Sequence, residues 1–399
     1  MKAWKLAPLA AALVSAQSFA VEPIGVALGS GFTFLPSVET SVESNDNIYS
    51  STKGAEVSSS ITRLKPSFTL QGDLGALKLN TAYQLEQGVY SKESKDDYLD
   101  QNLTLGGDYE LNARNQLNVD ATFNAGHDAA GSVKGIETSQ NPNAEPDEFN
   151  ETTAGLVYTF GGEAANVNVN VIAESYQKRY DNHQDQEQVQ VREHDKTKVA
   201  AQVVFTVSPA TSVNVEFRNT DISYVSSKAD ALAREGNEKK FLLGSSWDIT
   251  GATTGEFKLG VSNRTFDQAG IDSNSSLVWE GSVTWQPLSY STVVVSTSKG
   301  SSESAGSDNS YIDGSGTSVT WDHEFSYLLS AGVKASYGED DYVDSTRIDI
   351  NTGYGVQATY APMSWMDVTA SWDFTKRNSD SDALDTDTNI FNLGVTLAL

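Results

Sequence analysis

The chain has no cysteine, four histidines, nine prolines, and 27 basic against 53 acidic residues among its 399. It also has no run of 18 uninterrupted apolar residues. Without such a run no helix is apolar enough to cross a bilayer. A formal net charge of −26 leaves no basic footprint for a phosphate backbone, so nucleic acid is excluded as a partner. No disulfide can staple the fold, and stability must come from packing or from a membrane. A hydrophobic share of 38%, with 31 glycines besides, lies in the globular range and excludes disordered and collagen-like chains. A mean hydropathy of −0.37, taken alone, describes an ordinary soluble acidic protein.

The pattern of the residues says otherwise. Residues 1–20, with Lys2 and Lys5, an apolar stretch from Leu6 to Val14, and Ser18-Phe19-Ala20 at the end, read as a secretory signal peptide. A periplasmic N-terminal segment, 21–31, is expected next. From residue 32 to 399 the period is 2 nearly throughout. Leu77, Leu79, Thr81, Tyr83 and Leu85 alternate with polar neighbours, as do Val199 to Val207 and Ile348 to Tyr360. Such runs are strands with one apolar and one polar face. Short connections (72–76, 112–115, 161–165, 208–211, 251–255, 288–290, 326–328, 362–365) alternate with long ones (44–56, 91–97, 126–150, 178–196, 226–239, 267–275, 300–316, 339–346, 377–388). Eight short and nine long connections join 18 strands. An even antiparallel count with both termini on the short-turn side predicts an all-β fold, a transmembrane antiparallel up-and-down β-barrel of about 18 strands in the outer membrane. Trp285, Tyr290, Tyr327, Tyr360 and Trp365 fall beside short turns, as an interfacial aromatic girdle requires.

The polar parity then faces a lumen. Arg63, Lys65, Lys78, Glu86, Arg218, Lys258, Arg264, Lys334 and Arg347 are the lumen-facing candidates. A first hairpin turn centred on Leu74-Gly75 would set Arg63 opposite Glu86 and Lys65 opposite Gln84. These charges either solvate the wall and hold its register or form a constriction that selects solutes. At the C-terminus, Asn392-x-Gly394-x-x-Leu397-x-Leu399 resembles the terminal-strand signal read by barrel-assembly machinery, with Leu in place of the usual final Phe. That strand is expected to close the barrel against 32–42, because hydrocarbon tolerates no open sheet edge.

Little points to catalysis. His127, His183 and His194 fall in expected loops, no G-x-S-x-G occurs, and no enzyme activity, metal or other cofactor is expected. Asp380, Asp382, Asp385, Asp387 and Asn389 are spaced loosely like oxygen ligands but lack the glycine and terminal glutamate of an EF-hand loop, so a solvated acidic loop is the expectation. Divalent ions bridging such loops to neighbouring lipopolysaccharide would make barrel melting sensitive to EDTA.

Several segments resemble a known group, the outer-membrane β-barrel porins encoded with capsule and exopolysaccharide biosynthesis genes. They are Asn45-Asp46-Asn47-Ile48-Tyr49, Leu64-Lys65-Pro66-Ser67-Phe68, Asp96-Asp97-Tyr98, and Ser364-Trp365-Met366-Asp367 through Trp372 to Arg377-Asn378-Ser379. The resemblance implies a non-catalytic exit channel for a secreted polysaccharide. Its partners would be outer-membrane lipid and lipopolysaccharide, the barrel-assembly machinery, the polysaccharide, and periplasmic or inner-membrane export proteins. An uptake porin for small solutes or oligosaccharides, and a plugged-barrel adhesin or structural anchor, remain open beside it.

Overall fold

A computed structural model describes residues 25–399 apart from 130–144, 163–164, 226–233, 250, 269–271, 305–309 and 382–383. The expected signal peptide lies outside the described residues. A short strand, β1 (Val26–Gly29), precedes β2 (Phe32–Asn45), β3 (Ser59–Asp73), β4 (Leu77–Tyr90), β5 (Tyr98–Asn112) and β6 (Asn115–Asp128). The wall continues through β7 (Asp147–Phe160), β8 (Val167–Tyr180), β9 (His194–Ser208), β10 (Thr211–Tyr224), β11 (Gly236–Ile249), β12 (Thr253–Phe266) and β13 (Asn274–Leu288). It ends with β14 (Ser291–Glu303), β15 (Tyr311–Ser326), β16 (Leu329–Tyr342), β17 (Ile348–Met363), β18 (Met366–Ser379) and β19 (Thr386–Ala398). Each strand from β2 to β19 pairs antiparallel with its sequence neighbour, and β19 pairs with β2, closing a ring of 18. Closure leaves no strand of the ring at a free end of the sheet, which a wall in hydrocarbon demands.

Alternation decides which face looks outward. On β10, Val213, Val215 and Phe217 are exposed while Asn214 and Glu216 between them are buried. On β12, Phe257, Leu259 and Val261 are exposed and Ser262 and Arg264 are buried. Apolar side chains exposed to the outside with polar ones buried within is the reverse of a water-soluble sandwich and is the order a lipid-facing barrel needs. Beside the short turns, Tyr109, Phe160, Phe205, Trp285, Tyr290, Tyr360 and Trp365 are all exposed, and Tyr327 is 89% exposed. They form the expected aromatic girdle.

Four details differ from the sequence reading. Strands run to 13–16 residues rather than about 10, so they extend past the apolar band into the segments expected as loops, and His127 and His194 lie on β6 and β9. The first hairpin pairs Asp73 with Lys78, which shifts the register by two and sets Arg63 opposite Gly88. The cause is a wider turn: the Leu74 N–H donates to the Leu77 carbonyl at 2.9 Å, and Gly75 takes the left-handed φ of +80°. Arg347 sits in the 343–347 connection, not on a strand. Finally, β19 closes on Ser37–Asn45, not on the start of β2; there β1 pairs with Phe32 to Phe34 instead.

One ladder is interrupted. Pairing of β13 with β14 stops at Trp279 and Lys299, although β13 continues on β12 as far as Asn274 and β14 continues on β15 as far as Glu303. The last residues of β14 therefore part from β13 while staying paired with β15.

Candidate pore lining

The inner face is crossed by ion pairs in separate groups. Between β2 and β5, the Arg63 guanidinium pairs with Glu43, lies 3.2 Å from Glu86, and donates from Nε to the Tyr98 hydroxyl at 2.9 Å. Lys65 Nζ is 3.2 Å from Glu86. Register alone would not bring Arg63 to Glu86. Gly88 stands between Arg63 and Tyr98 across three strands, and the Tyr98 ring lies over it so closely that a Cβ there would be 2.2 Å from the ring. The glycine leaves the space through which arginine, tyrosine and glutamate meet.

The same device recurs at Gly355, which separates Lys334 from Asp373 in register. Lys334 Nζ reaches Asp373 at 2.6 Å over it, and a Cβ on Gly355 would be 2.3 Å from that carboxylate.

The second group centres on Glu216, 2% exposed. Arg218 donates to it from Nε at 2.9 Å and Nη2 at 2.7 Å, and Lys258 donates at 2.8 Å. The other arm of Arg218 donates to Glu280 at 2.8 Å. Charge-assisted bonds to a carboxylate out of water are the stronger kind.

A third group holds the displaced tip of β14. Glu303 accepts from Arg264 Nη1 at 3.1 Å and Nη2 at 3.0 Å and from the Tyr224 hydroxyl, with Lys196 Nζ 3.4 Å away. Ser301 Oγ donates to Glu238 at 2.7 Å, as does Ser262 Oγ, and Lys240 pairs with the same carboxylate. Neighbouring strands lie about 4.8 Å apart, so β9 and β14 would be separated by roughly 24 Å along an undisturbed wall. The contacts place Ser301 and Glu303 across the inner face of β9 to β12.

Toward the long loops a short helix, α1 (Glu187–Gln190), and the segment after it tuck inward. Val189 packs with Phe149 and Tyr180, and Arg192 bonds Asp128 at 2.7 Å and also Asp147. Outside the strands, the Tyr49 hydroxyl donates to Asp96 at 2.7 Å. Burial pushes the Asp96 carboxyl above its ordinary value despite that bond, and burial together with Asp96 pushes the Tyr49 phenol up.

Of the sequence candidates, Arg63, Lys65, Glu86, Arg218, Lys258, Arg264 and Lys334 are thus brought into ion pairs on the inner face. Lys78 faces Asp73 at the exposed short-turn end. Arg347 stacks 4.2 Å over the Tyr342 ring and bonds Asp349. Asn392 and Gly394 face Glu43 and Ser41, Leu397 and Leu399 are exposed outward, and the Leu399 carbonyl accepts the Gly25 N–H at 3.0 Å. Glu303, Glu238, Tyr224 and Arg192 escaped the sequence reading. Glu303 was missed because it falls in the expected 300–316 connection, into which β14 extends.

His183 bonds Asp147 and His194 bonds the Arg192 carbonyl, while His323 sits among Tyr290, Trp321 and Phe325. Among the described residues no group of three or more histidines and carboxylates could hold a metal ion. Asp382 of the acidic loop lies outside the described residues, and Asp385 accepts the Ser379 N–H at 2.8 Å.

Residues 20–399 match the family described as putative beta-barrel porin 2. Among solved structures the chain is similar to OccK2 (OpdF) of Pseudomonas aeruginosa, with a TM-score of 0.51 and 10% identity over 92% of this chain and 98% of that one. The same protein in complex with glucuronate gives 0.51 and 9%, with the same coverage. OccAB3 of Acinetobacter baumannii gives 0.48 and 11% over 92% and 99%. No curated protein sequence matches.

Proposed function

Given that the chain belongs to the putative beta-barrel porin 2 family and is a closed outer-membrane barrel, we propose that it is an uptake porin, a non-catalytic channel through which small solutes or oligosaccharides cross the outer membrane. The observation that carries this reading is the inward lean of the tip of β14, bonded through Ser301 and Glu303 to residues of β9 to β12. An exit pore must pass a continuous polymer chain, and a segment drawn into the interior narrows the path for one. Paired charges on the inner face offer weak, exchangeable hydrogen bonds to a hydrated solute and no covalent chemistry. Fold likeness to the OccK2 barrels agrees with a channel without naming its cargo.

Export of a capsular polysaccharide or exopolysaccharide is the second reading, favoured by the Asn45 to Tyr49 and Ser364 to Asp367 resemblances. Purified protein in liposomes separates the two. Swelling in mono- and disaccharides, with glucuronate as one probe, supports uptake. Absence of small-solute flux, together with loss of polysaccharide secretion when the protein is deleted, would overturn it. No flux and no secretion defect would leave the structural anchor.

A further inference from the structure

Resting on the channel reading, we propose that Glu303 is the residue that sets the size limit of the pore, by clamping the end of β14 as a strap across the lumen. Three independent features meet at this place. The β13 to β14 ladder ends at Trp279 and Lys299, so residues 300–303 are joined to the wall on one side only, through β15. The strap crosses to strands that are not its neighbours: Ser301 reaches Glu238 on β11, and Glu303 reaches Arg264 on β12, Tyr224 on β10 and Lys196 on β9. The cradle is also built and buried. Arg264 is 2% exposed, stacks 4.6 Å over the Tyr311 ring, and donates to the Arg234 carbonyl as well as to Glu303.

Without its carboxylate the strap loses its bonds to β9, β10 and β12 and keeps the Ser301 bond to β11 and the ladder to β15, while the backbone edge of 300–303 facing β13 has no ladder to hold it. The strand end can then swing back toward the wall and widen the lumen. Glu303 is a positioning residue: it acts on the solute through the cross-section that it holds.

Two readouts test this, and the second does not depend on solute flux. Liposome swelling with sugars of increasing length compares wild type and Glu303→Ala. The variant should admit longer sugars; an unchanged limit overturns the proposal. The second is hydrogen exchange of the backbone amides of residues 300–303 in the folded barrel. Exchange should be slow in the wild type and about tenfold faster in Glu303→Ala, as the strap's open population rises. Equal rates overturn the proposal even if no solute passes, an outcome that would separately defeat the channel reading. Gel mobility without boiling reports folding. If Glu303→Ala gives no folded band, the isosteric Glu303→Gln replaces it in both measurements.

Discussion

Replacing Glu216 by alanine should destabilise the barrel far more than loss of an exposed carboxylate would. Glu216 is 2% exposed and accepts three charge-assisted hydrogen bonds of 2.7 to 2.9 Å from Arg218 and Lys258. A net contribution of about 1.5–3 kcal/mol per bond to a charged group would sum too high, because Arg218 retains Glu280 after the change. What remains is Lys258 without its 2.8 Å partner, though still opposite Glu280 in register, so the cost should lie toward the lower end of the about 3–5 kcal/mol for breaking a buried pair from one side. Glu216→Gln keeps an acceptor and should lose about half of that. Urea unfolding in lipid vesicles, followed by tryptophan fluorescence and by the unboiled gel band, measures the difference. A second series with Lys258→Met, alone and combined with Glu216→Ala, isolates the pair. A shift within about 0.5 kcal/mol of wild type for Glu216→Ala would refute the reasoning, since that is the scale of water-screened surface pairs.

Gly88→Ala should lower stability by about 1–3 kcal/mol, because the new Cβ falls within 2.2 Å of the Tyr98 ring and the ring must leave Arg63; unfolding of Gly88→Ala against an exposed control measures it. The connection carrying Asp96 should loosen as pH rises. Its carboxyl is raised in the folded state, so its contribution is fully present below the ordinary aspartate value and is lost as pH climbs through the raised one. Proteolysis of residues 91–97 between pH 4 and 8 should show that trend, and Asp96→Asn should flatten it. Deleting Leu399 removes the carbonyl that accepts Gly25 and the end of the terminal-strand pattern. Less heat-modifiable barrel should reach the outer membrane in cells, and undiminished assembly would show that the pattern is not read there.

The barrel was legible because lipid on one side and water on the other force a period of 2 on every strand, as Val213 to Phe217 against Asn214 to Arg218 illustrates. Aromatic residues beside short turns were legible for the same reason. Contacts that pass between strands were not. Register depends on turn geometry, and a turn wider by two residues was enough to move Arg63 from Glu86 to Gly88. That the ion pair forms anyway depends on the empty space over a glycine, which no alternation rule reports. The strap was hidden because 300–316 reads as a long connection, to which no parity applies, whereas β14 runs on to Glu303.

The seam between β19 and β2 has a consequence in time rather than in space. Its ladder runs only from Ile390 opposite Asn45 to Ala398 opposite Ser37, whereas β9 and β10 are paired from Thr211 and Ser208 to Tyr224 and His194. It also joins segments from opposite ends of the chain, so its loop-closure entropy exceeds that of any hairpin. The seam should therefore be the last ladder to form. A barrel caught partway through folding would be a curved, unclosed sheet with β2 and β19 as its free edges, the state most in need of a chaperone.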